Sequence, residues 1–173
     1  MQKIIKIITI SISTAIIFVF YLSLNKDNNY NTESQIGKKL DFDKIESIDE
    51  DKYLDIKELK GKNFVLINFW ASWCGPCRSE HPVLMKLKSE KKLKLIGVNF
   101  KDKKRNAKIF LKELGNPYYF IGKDELGKLS INFGVYGIPE SILIDEQLTI
   151  LQKFIGPLDN QDLNDILKKI NKV

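Results

Sequence analysis

Cysteine and histidine are scarce in this sequence, with two cysteines and one histidine among 173 residues. Two cysteines are too few for a scaffold stapled by several disulfides or for a metal site with four thiolates. A single histidine also excludes a zinc or copper centre built on imidazole ligands. Glycine and proline, at ten and five residues, are too rare for a collagen-like or low-complexity chain. The sequence therefore predicts a folded protein without a metal site.

Arginine is nearly absent, although the chain is basic. The net charge is +6, yet the only arginines are Arg78 and Arg105. Proteins that bind nucleic acids usually rely on arginine for bidentate contacts to phosphate, so we do not expect a nucleic-acid partner. Residues 86–112 are rich in lysine and poor in acidic residues. This composition fits an orientation on anionic lipid or on an acidic partner, and it equally fits a solvated face.

The first 24 residues differ in kind from the rest of the chain. Residues 7–24 carry no charge, and they follow Lys3 and Lys6. At about 1.5 Å per residue, such a helix is just long enough to cross a hydrocarbon core of about 30 Å, and the lysines favour a cytoplasmic N-terminus. A cleaved signal peptide is the alternative, but no small-x-small cleavage site follows the apolar run. We predict a transmembrane signal anchor at residues 1–24.

A polar, asparagine-rich segment at residues 25–35 is predicted to be a linker, and residues 36–173 to form one domain. Apolar runs predict buried strands at 64–70 and 93–100. Apolar spacing and turn residues predict helices at 79–90, 107–114 and 163–170, a strand at 118–121, a helical turn or two at 124–133, and a hairpin of strands 141–144 and 149–155. Strands that alternate with helices and end in a hairpin predict an α/β fold with a mixed sheet.

Both cysteines belong to one motif, Trp73-Cys74-Gly75-Pro76-Cys77, which follows a predicted strand and opens a predicted helix. A Cys-x-x-Cys motif in this setting is a thioredoxin-like redox signal. The positive end of a helix stabilises a thiolate, which is the nucleophilic form of cysteine. Cys77 lies one helical turn further along, close enough to attack a mixed disulfide. We predict that Cys74 attacks and Cys77 resolves.

Three other interpretations of the cysteine pair are weaker. Half of a zinc site would need two further ligands, and the sequence has no second cysteine pair. A purely structural disulfide that closes so small a loop would constrain the unfolded chain little. Two inert buried thiols would not need to stand at the start of a helix.

Two segments of the chain carry a family resemblance. Residues 70–77 (Trp-Ala-Ser-Trp-Cys-Gly-Pro-Cys) resemble the active-site motif of the thioredoxin superfamily. Residues 133–141 (Phe-Gly-Val-Tyr-Gly-Ile-Pro-Glu-Ser) resemble the signature of the cytochrome c biogenesis thiol:disulfide interchange proteins, the DsbE subfamily. The likeness covers about residues 36–158 and includes the placement of the anchor.

The resemblance implies a thioredoxin fold with a central insert, anchored in the inner membrane and facing the periplasm. Members of this subfamily are reductants that take electrons from a membrane thiol-disulfide carrier. They keep the haem-attachment cysteines of apocytochrome c, or a chaperone that holds them, reduced. Because the dithiol is itself the redox centre, the resemblance implies no cofactor.

The resemblance also implies substrate contacts. Pro139 matches the cis-proline of the superfamily, which faces the cysteines and leaves the backbone of Ile138 to pair with an extended peptide. We expect substrate contacts from these two residues and from three residues of the cysteine motif, which are Trp73, Gly75 and Pro76.

Four further residues are candidates for tuning the site. Asn68 stands where cytosolic thioredoxins have a buried aspartate, and because asparagine cannot titrate, proton transfer near Cys77 needs another group or water. Glu80 and Glu140 are the candidate acids, with solvated surface glutamates as the alternative. Tyr136 is a candidate for lining the substrate groove, with core packing as the alternative.

Other functions on a similar fold remain as rivals. A general exported reductase would share every feature of the cysteine motif. A metallochaperone would have Cys-x-x-x-Cys and a distal histidine, whereas here the spacing is two residues and the only histidine, His81, is expected to be structural. A peroxidase would have a Thr-x-x-Cys site, and a non-catalytic binding module would not depend on Cys74.

Overall fold

The chain divides into two units, residues 1–32 and 33–173, and the described part of the first unit is a helix. The computed structural model describes residues 2–24, 35–40, 44–49, 52–61 and 63–171. Helix α1 (Gln2–Leu24) has a mean hydropathy of 2.2 over Gln2–Ser23, and none of that span is buried. By length and composition α1 can cross a membrane, although a signal sequence has the same properties. The predicted linker lies outside the described residues, except for Gln35.

The second unit is an α/β domain. Its strands are β1 (Lys44–Glu46), β2 (Tyr53–Asp55), β3 (Phe64–Trp70), β4 (Leu93–Phe100), β5 (Phe120–Asp124), β6 (Glu140–Ile144) and β7 (Ile150–Ile155). Its helices are α2 (Gly75–Leu87), α3 (Lys104–Leu114), α4 (Lys128–Asn132) and α5 (Asn160–Asn171), with a short 3-10 helix at Ile56–Leu59.

Five of the strands form a mixed sheet in the order β5-β4-β3-β6-β7, while β1 and β2 form a separate hairpin. Strands β5, β4 and β3 run parallel, and β6 and β7 run antiparallel to their neighbours. Glu140 at the start of β6 pairs with Phe69 near the end of β3. This register brings the segment before β6 level with the segment after β3, where the cysteine motif begins.

The sheet separates two hydrophobic cores because successive side chains of β3 point to opposite faces. Leu66 and Trp70 lie in the core covered by α2, α3 and α5, whereas Val65 and Ile67 lie in the core covered by α4 and the β1–β2 hairpin. Asn68 has the same parity as Leu66 and is fully buried. The alternation therefore places one polar side chain in the apolar core beneath α2.

Glycine at position 97 makes room for two aromatic rings beside Asn68. Gly97 in β4 pairs with Asn68 in β3. A Cβ atom at this position would lie 2.8 Å from Nε1 of Trp70 and 2.8 Å from the ring of Tyr118. Both rings are buried and stack on each other at 5.6 Å, so a larger residue would overpack the core.

The predicted strands 64–70 and 93–100 are confirmed, as is the closing hairpin, whereas the predicted bounds of the helix after the cysteines are wrong. Helix α2 begins at Gly75 instead of Ser79, because Cys74 itself caps the helix, and it ends at Leu87 instead of Glu90. Helices α3 and α5 each begin three residues earlier than predicted.

Two predictions between α3 and β6 are also wrong. The strand expected at 118–121 is β5, which begins two residues later, at Phe120. Asn116 Oδ1 accepts a hydrogen bond from Tyr118 N–H, and this turns the chain before the strand starts. The helix expected at 124–133 is the shorter α4. Asp124 belongs to β5, and its carboxylate accepts hydrogen bonds from Leu129 N–H and Ser130 N–H at the start of α4. The β1–β2 hairpin was not predicted.

Candidate active site

The two cysteines form a disulfide at the N-terminus of α2. Cys74 is the N-cap residue, and its Sγ accepts a hydrogen bond from Cys77 N–H at 3.2 Å. Pro76 lies in the first turn, where its missing N–H costs nothing. The side chain of Cys74 is 5% exposed and that of Cys77 is buried as well. The sulfur of Cys74 therefore sits where unsatisfied N–H groups and the helix dipole favour negative charge.

The turn before Cys74 is held by the loop that follows β4. Asp102 accepts hydrogen bonds from both the N–H and the hydroxyl of Ser72, at 2.7 and 2.9 Å. Trp73 Nε1 donates to the carbonyl of Lys101 at 3.2 Å, and 59% of Trp73 is exposed. The indole ring is thus anchored at its polar edge while much of its apolar surface faces solvent beside Cys74.

Residues 134–140, which we call the cis-proline loop, lie at the same end of the sheet as the disulfide. The bond between Ile138 and Pro139 is cis, and Ile138 packs against the core cluster that contains both cysteines. Glu140 Oε1 accepts hydrogen bonds from Tyr136 N–H and Gly137 N–H, each at 3.1 Å. Tyr136 itself is 80% exposed, so core packing is excluded as its role.

A buried polar network runs from α2 to the centre of the sheet. Asn68 Nδ2 donates to Glu80 Oε1 at 2.8 Å and to Ser141 Oγ at 3.0 Å, and Asn68 Oδ1 accepts from the hydroxyl of Tyr118 at 2.7 Å. Leu158 N–H donates to Glu80 Oε2 at 3.0 Å. Glu80 is therefore not a solvated surface residue, because its carboxyl group is fully buried and both oxygens are hydrogen-bonded.

Burial raises the pKa of Glu80 from 4.5 to about 7. The hydrogen bonds from Leu158 and Asn68 act in the opposite direction, and the negative charge of Asp162 in α5 adds to the increase. Burial also raises the pKa of Tyr118, so its hydroxyl stays protonated and can donate to Asn68. A carboxyl group with a pKa near neutrality can take up and release a proton at physiological pH.

Comparison with known proteins places this arrangement in a family. The family model described as Redoxin matches residues 35–170. The chain therefore belongs to the Redoxin family.

Relatives of this Redoxin-family protein confirm the resemblance to DsbE. It is 36% identical to the thiol:disulfide interchange protein DsbE of Pseudomonas fluorescens biotype C over 159 residues, which cover 92% of this chain and 88% of the relative. It is 51% identical to the thiol:disulfide interchange protein CycY of Rhizobium leguminosarum bv. viciae over 107 residues, which cover 62% of this chain but only 57% of the relative.

Solved structures confirm the thioredoxin fold. The thioredoxin domain of a thiol-disulfide oxidoreductase from Bacteroides vulgatus matches this Redoxin-family chain with a TM-score of 0.67 at 20% identity. The match covers 79% of this chain and 98% of that domain.

His81 has a structural role in the Redoxin domain. Its Nε2 lies 2.9 Å from the carbonyl oxygen of Gly115, the residue after α3, and its ring packs edge-on against Phe110. Burial lowers the pKa of His81, which favours the neutral imidazole. Among the described residues, no group of three or more His, Cys, Asp or Glu side chains is placed to hold a metal.

Sequence reasoning missed several residues that surround the site in this Redoxin-family protein. Asp102, Tyr118 and Ser141 hold the cysteine turn and the Asn68 network, and their residue types and local sequence did not indicate these contacts. Lys153 lies in β7, and its ammonium forms an ion pair with Glu140. A lysine in the predicted strand 149–155 was a usable signal, but a bulge between Leu143 and Ile144 shifts the hairpin register, so its partner was not predictable.

Proposed function

We propose that this protein reduces protein disulfides through a Cys74–Cys77 dithiol. The observation that carries the proposal is the Cys74–Cys77 disulfide at the N-terminus of α2, with the Cys77 N–H directed at Cys74 Sγ. The same N–H would stabilise a thiolate at Cys74 in the reduced protein. The 36% identity with DsbE of P. fluorescens, over a segment that covers 92% of this chain, supports thiol:disulfide interchange.

The reaction consists of two thiol-disulfide exchanges. The Cys74 thiolate attacks a sulfur of the substrate disulfide, forming a mixed disulfide and releasing one substrate thiolate, which takes up a proton. Cys77 then loses its proton and attacks Cys74 Sγ, which forms the Cys74–Cys77 disulfide and releases the second substrate thiol. Two electrons pass from the dithiol to the substrate, and a membrane dithiol donor restores the reduced state by the reverse exchange.

Glu80 is the group that we assign to proton transfer at Cys77. The two residues lie three apart on α2 and so share one helix face, and both side chains are buried. Glu80 is held by hydrogen bonds from Asn68 and Leu158, which fix its carboxyl group in the buried core. Because the pKa of Glu80 is about 7, its carboxylate can accept the proton of Cys77 directly or through one water molecule.

The substrate is proposed to bind as an extended peptide beside the disulfide. Pro139 has no N–H, and its position level with the cysteine motif leaves the backbone of Ile138 to pair with the peptide. Trp73 and Tyr136 expose aromatic surface at this end of the sheet. Gly75 leaves open space, because no atom from outside its own stretch of chain lies within 4 Å of where its Cβ would be. These features accommodate a bulky polypeptide near Cys74.

We further propose that the protein acts in cytochrome c maturation from the inner membrane. The resemblance of residues 133–141 to the DsbE signature supports apocytochrome c, or the chaperone that presents it for haem attachment, as the substrate. Helix α1 is long enough for a membrane anchor, and Lys3 and Lys6 at its start favour a cytoplasmic N-terminus with the Redoxin domain in the periplasm.

Substrate trapping tests this assignment. A full-length Cys77→Ala variant cannot resolve the mixed disulfide, so we expect it to accumulate disulfide-linked partners in cells that make c-type cytochromes. Mass spectrometry of the linked species should identify apocytochrome c or its chaperone. The Cys74→Ala/Cys77→Ala variant is the matched control and should trap nothing. If the trapped proteins never include these partners, a general exported reductase replaces the maturation role.

A further inference from the structure

Lys153 carries an ammonium group that is buried in the domain, which is rare for lysine. Its side chain is 2% exposed, and Nζ lies 2.8 Å from Oε2 of Glu140, whose side chain is 3% exposed. The ammonium also donates a hydrogen bond to the carbonyl oxygen of Gly134, and it lies 6.0 Å from the centre of the Tyr136 ring. Lys153 therefore contacts both ends of the cis-proline loop.

The sheet determines where this ammonium lies. Lys153 in β7 pairs with Ile142 in β6, and Glu140 is two residues before Ile142. Residues in this diagonal relation project from the same face of neighbouring strands. Strand β6 also pairs with β3, where Glu140 lies opposite Phe69. Glu140 therefore lies between β7, which carries Lys153, and the strand that leads into the cysteine motif.

One carboxylate makes both the ion pair and the hydrogen bonds within the loop. Glu140 binds Tyr136 N–H and Gly137 N–H through Oε1, while Oε2 faces Lys153. Removal of the cation would leave a buried carboxylate without its counter-charge, which is strongly unfavourable. Glu140 would then turn toward water and release the two N–H groups, and Gly134 would lose the donor at its carbonyl oxygen.

We propose that Lys153 is a positioning residue for substrate binding, which holds the cis-proline loop in the shape that presents the Ile138 backbone to an extended peptide. The inference rests on the proposed function of the cysteines. It adds that peptide affinity depends on a residue of β7 that itself need not touch the substrate. Small disulfides, which form no strand-like contacts with the loop, should be independent of Lys153.

The test compares two substrates with the reduced full-length protein in detergent, a disulfide-containing peptide and hydroxyethyl disulfide. For Lys153→Met we expect KM for the peptide to rise about tenfold, because backbone hydrogen bonds to the loop are lost. Turnover at saturating peptide and the rate with hydroxyethyl disulfide should stay within about twofold. Lys153→Arg keeps the charge and should restore most of the affinity.

Two controls make the result decisive. Lys123→Met removes a strand lysine that pairs with Glu46 at 2.8 Å, and it should leave both substrates unaffected. If Lys153→Met does not fold, the Lys153→Met/Glu140→Gln variant removes both charges and should still show the raised KM, because Gly134 has lost its donor. A folded variant with wild-type KM, or an equal loss with both substrates, overturns the inference. If the wild-type protein reduces neither substrate, the proposed function itself fails.

Discussion

Replacement of Cys74 by serine should lower the rate of disulfide reduction by about a thousandfold or more, because serine supplies no thiolate to attack the substrate. The structure places Cys74 Sγ at the cap of α2, where it receives the N–H of Cys77. The measurement is turnover with insulin or an oxidised apocytochrome peptide, with a membrane-type dithiol or dithiothreitol as the electron source.

Cys77→Ser is the matched control for this prediction. It keeps Cys74 and should still form the mixed disulfide at a rate close to that of the wild-type protein, although it cannot complete turnover. Circular dichroism and thermal unfolding of both reduced variants would show whether α2 is preserved. Substantial turnover by folded Cys74→Ser would mean that Cys74 is not the nucleophile, and a binding module would then explain the domain better.

Stability should depend on pH through Glu80. Its pKa in the folded protein is about 7, above the ordinary value of 4.5, because the folded state favours the protonated carboxyl group. The stabilisation is therefore fully present below pH 4.5 and is lost as the pH rises through 7. The difference corresponds to about 3 kcal/mol of unfolding free energy.

The Glu80→Gln variant isolates this contribution, because every other titrating group is common to both proteins. Urea unfolding of the oxidised full-length chain, followed by tryptophan fluorescence at several pH values, gives the difference in unfolding free energy between wild type and variant. We expect the wild-type protein to lose about 3 kcal/mol relative to Glu80→Gln between pH 4 and pH 8. A difference that does not change with pH would show that Glu80 is not the buried group that titrates near 7.

The central sheet was predictable because its signals are local. The strands at 64–70 and 93–100 are mostly buried on both faces. Strands buried in this way have largely apolar sequences, which can be recognised without knowing the fold. The β1–β2 hairpin was not predicted because each strand has three residues and only one buried position, Ile45 in β1 and Leu54 in β2. A pattern that short gives no measurable alternation.

The candidate site was predictable only in part. The cysteine pair and Pro139 could be found because each belongs to a contiguous motif. The burial of Glu80 could have been suspected, since it shares a helix face with Cys77 and Leu84, but carboxyl groups are seldom fully buried without partners. The partners of Glu80 are Asn68 and Leu158, which come from distant parts of the chain. Asn68 is held in turn by Tyr118 and Ser141, which it meets only in the folded sheet.

The ionisation of Cys74 is the step on which the whole mechanism depends. After reduction of the disulfide, a limiting amount of iodoacetamide at pH 7 should label Cys74 several times faster than a model peptide thiol and should leave Cys77 nearly unlabelled, because only the helix-capping sulfur is held as a thiolate. Peptide mapping by mass spectrometry identifies the labelled residue. Equal labelling of both cysteines at the rate of an ordinary thiol would contradict the account.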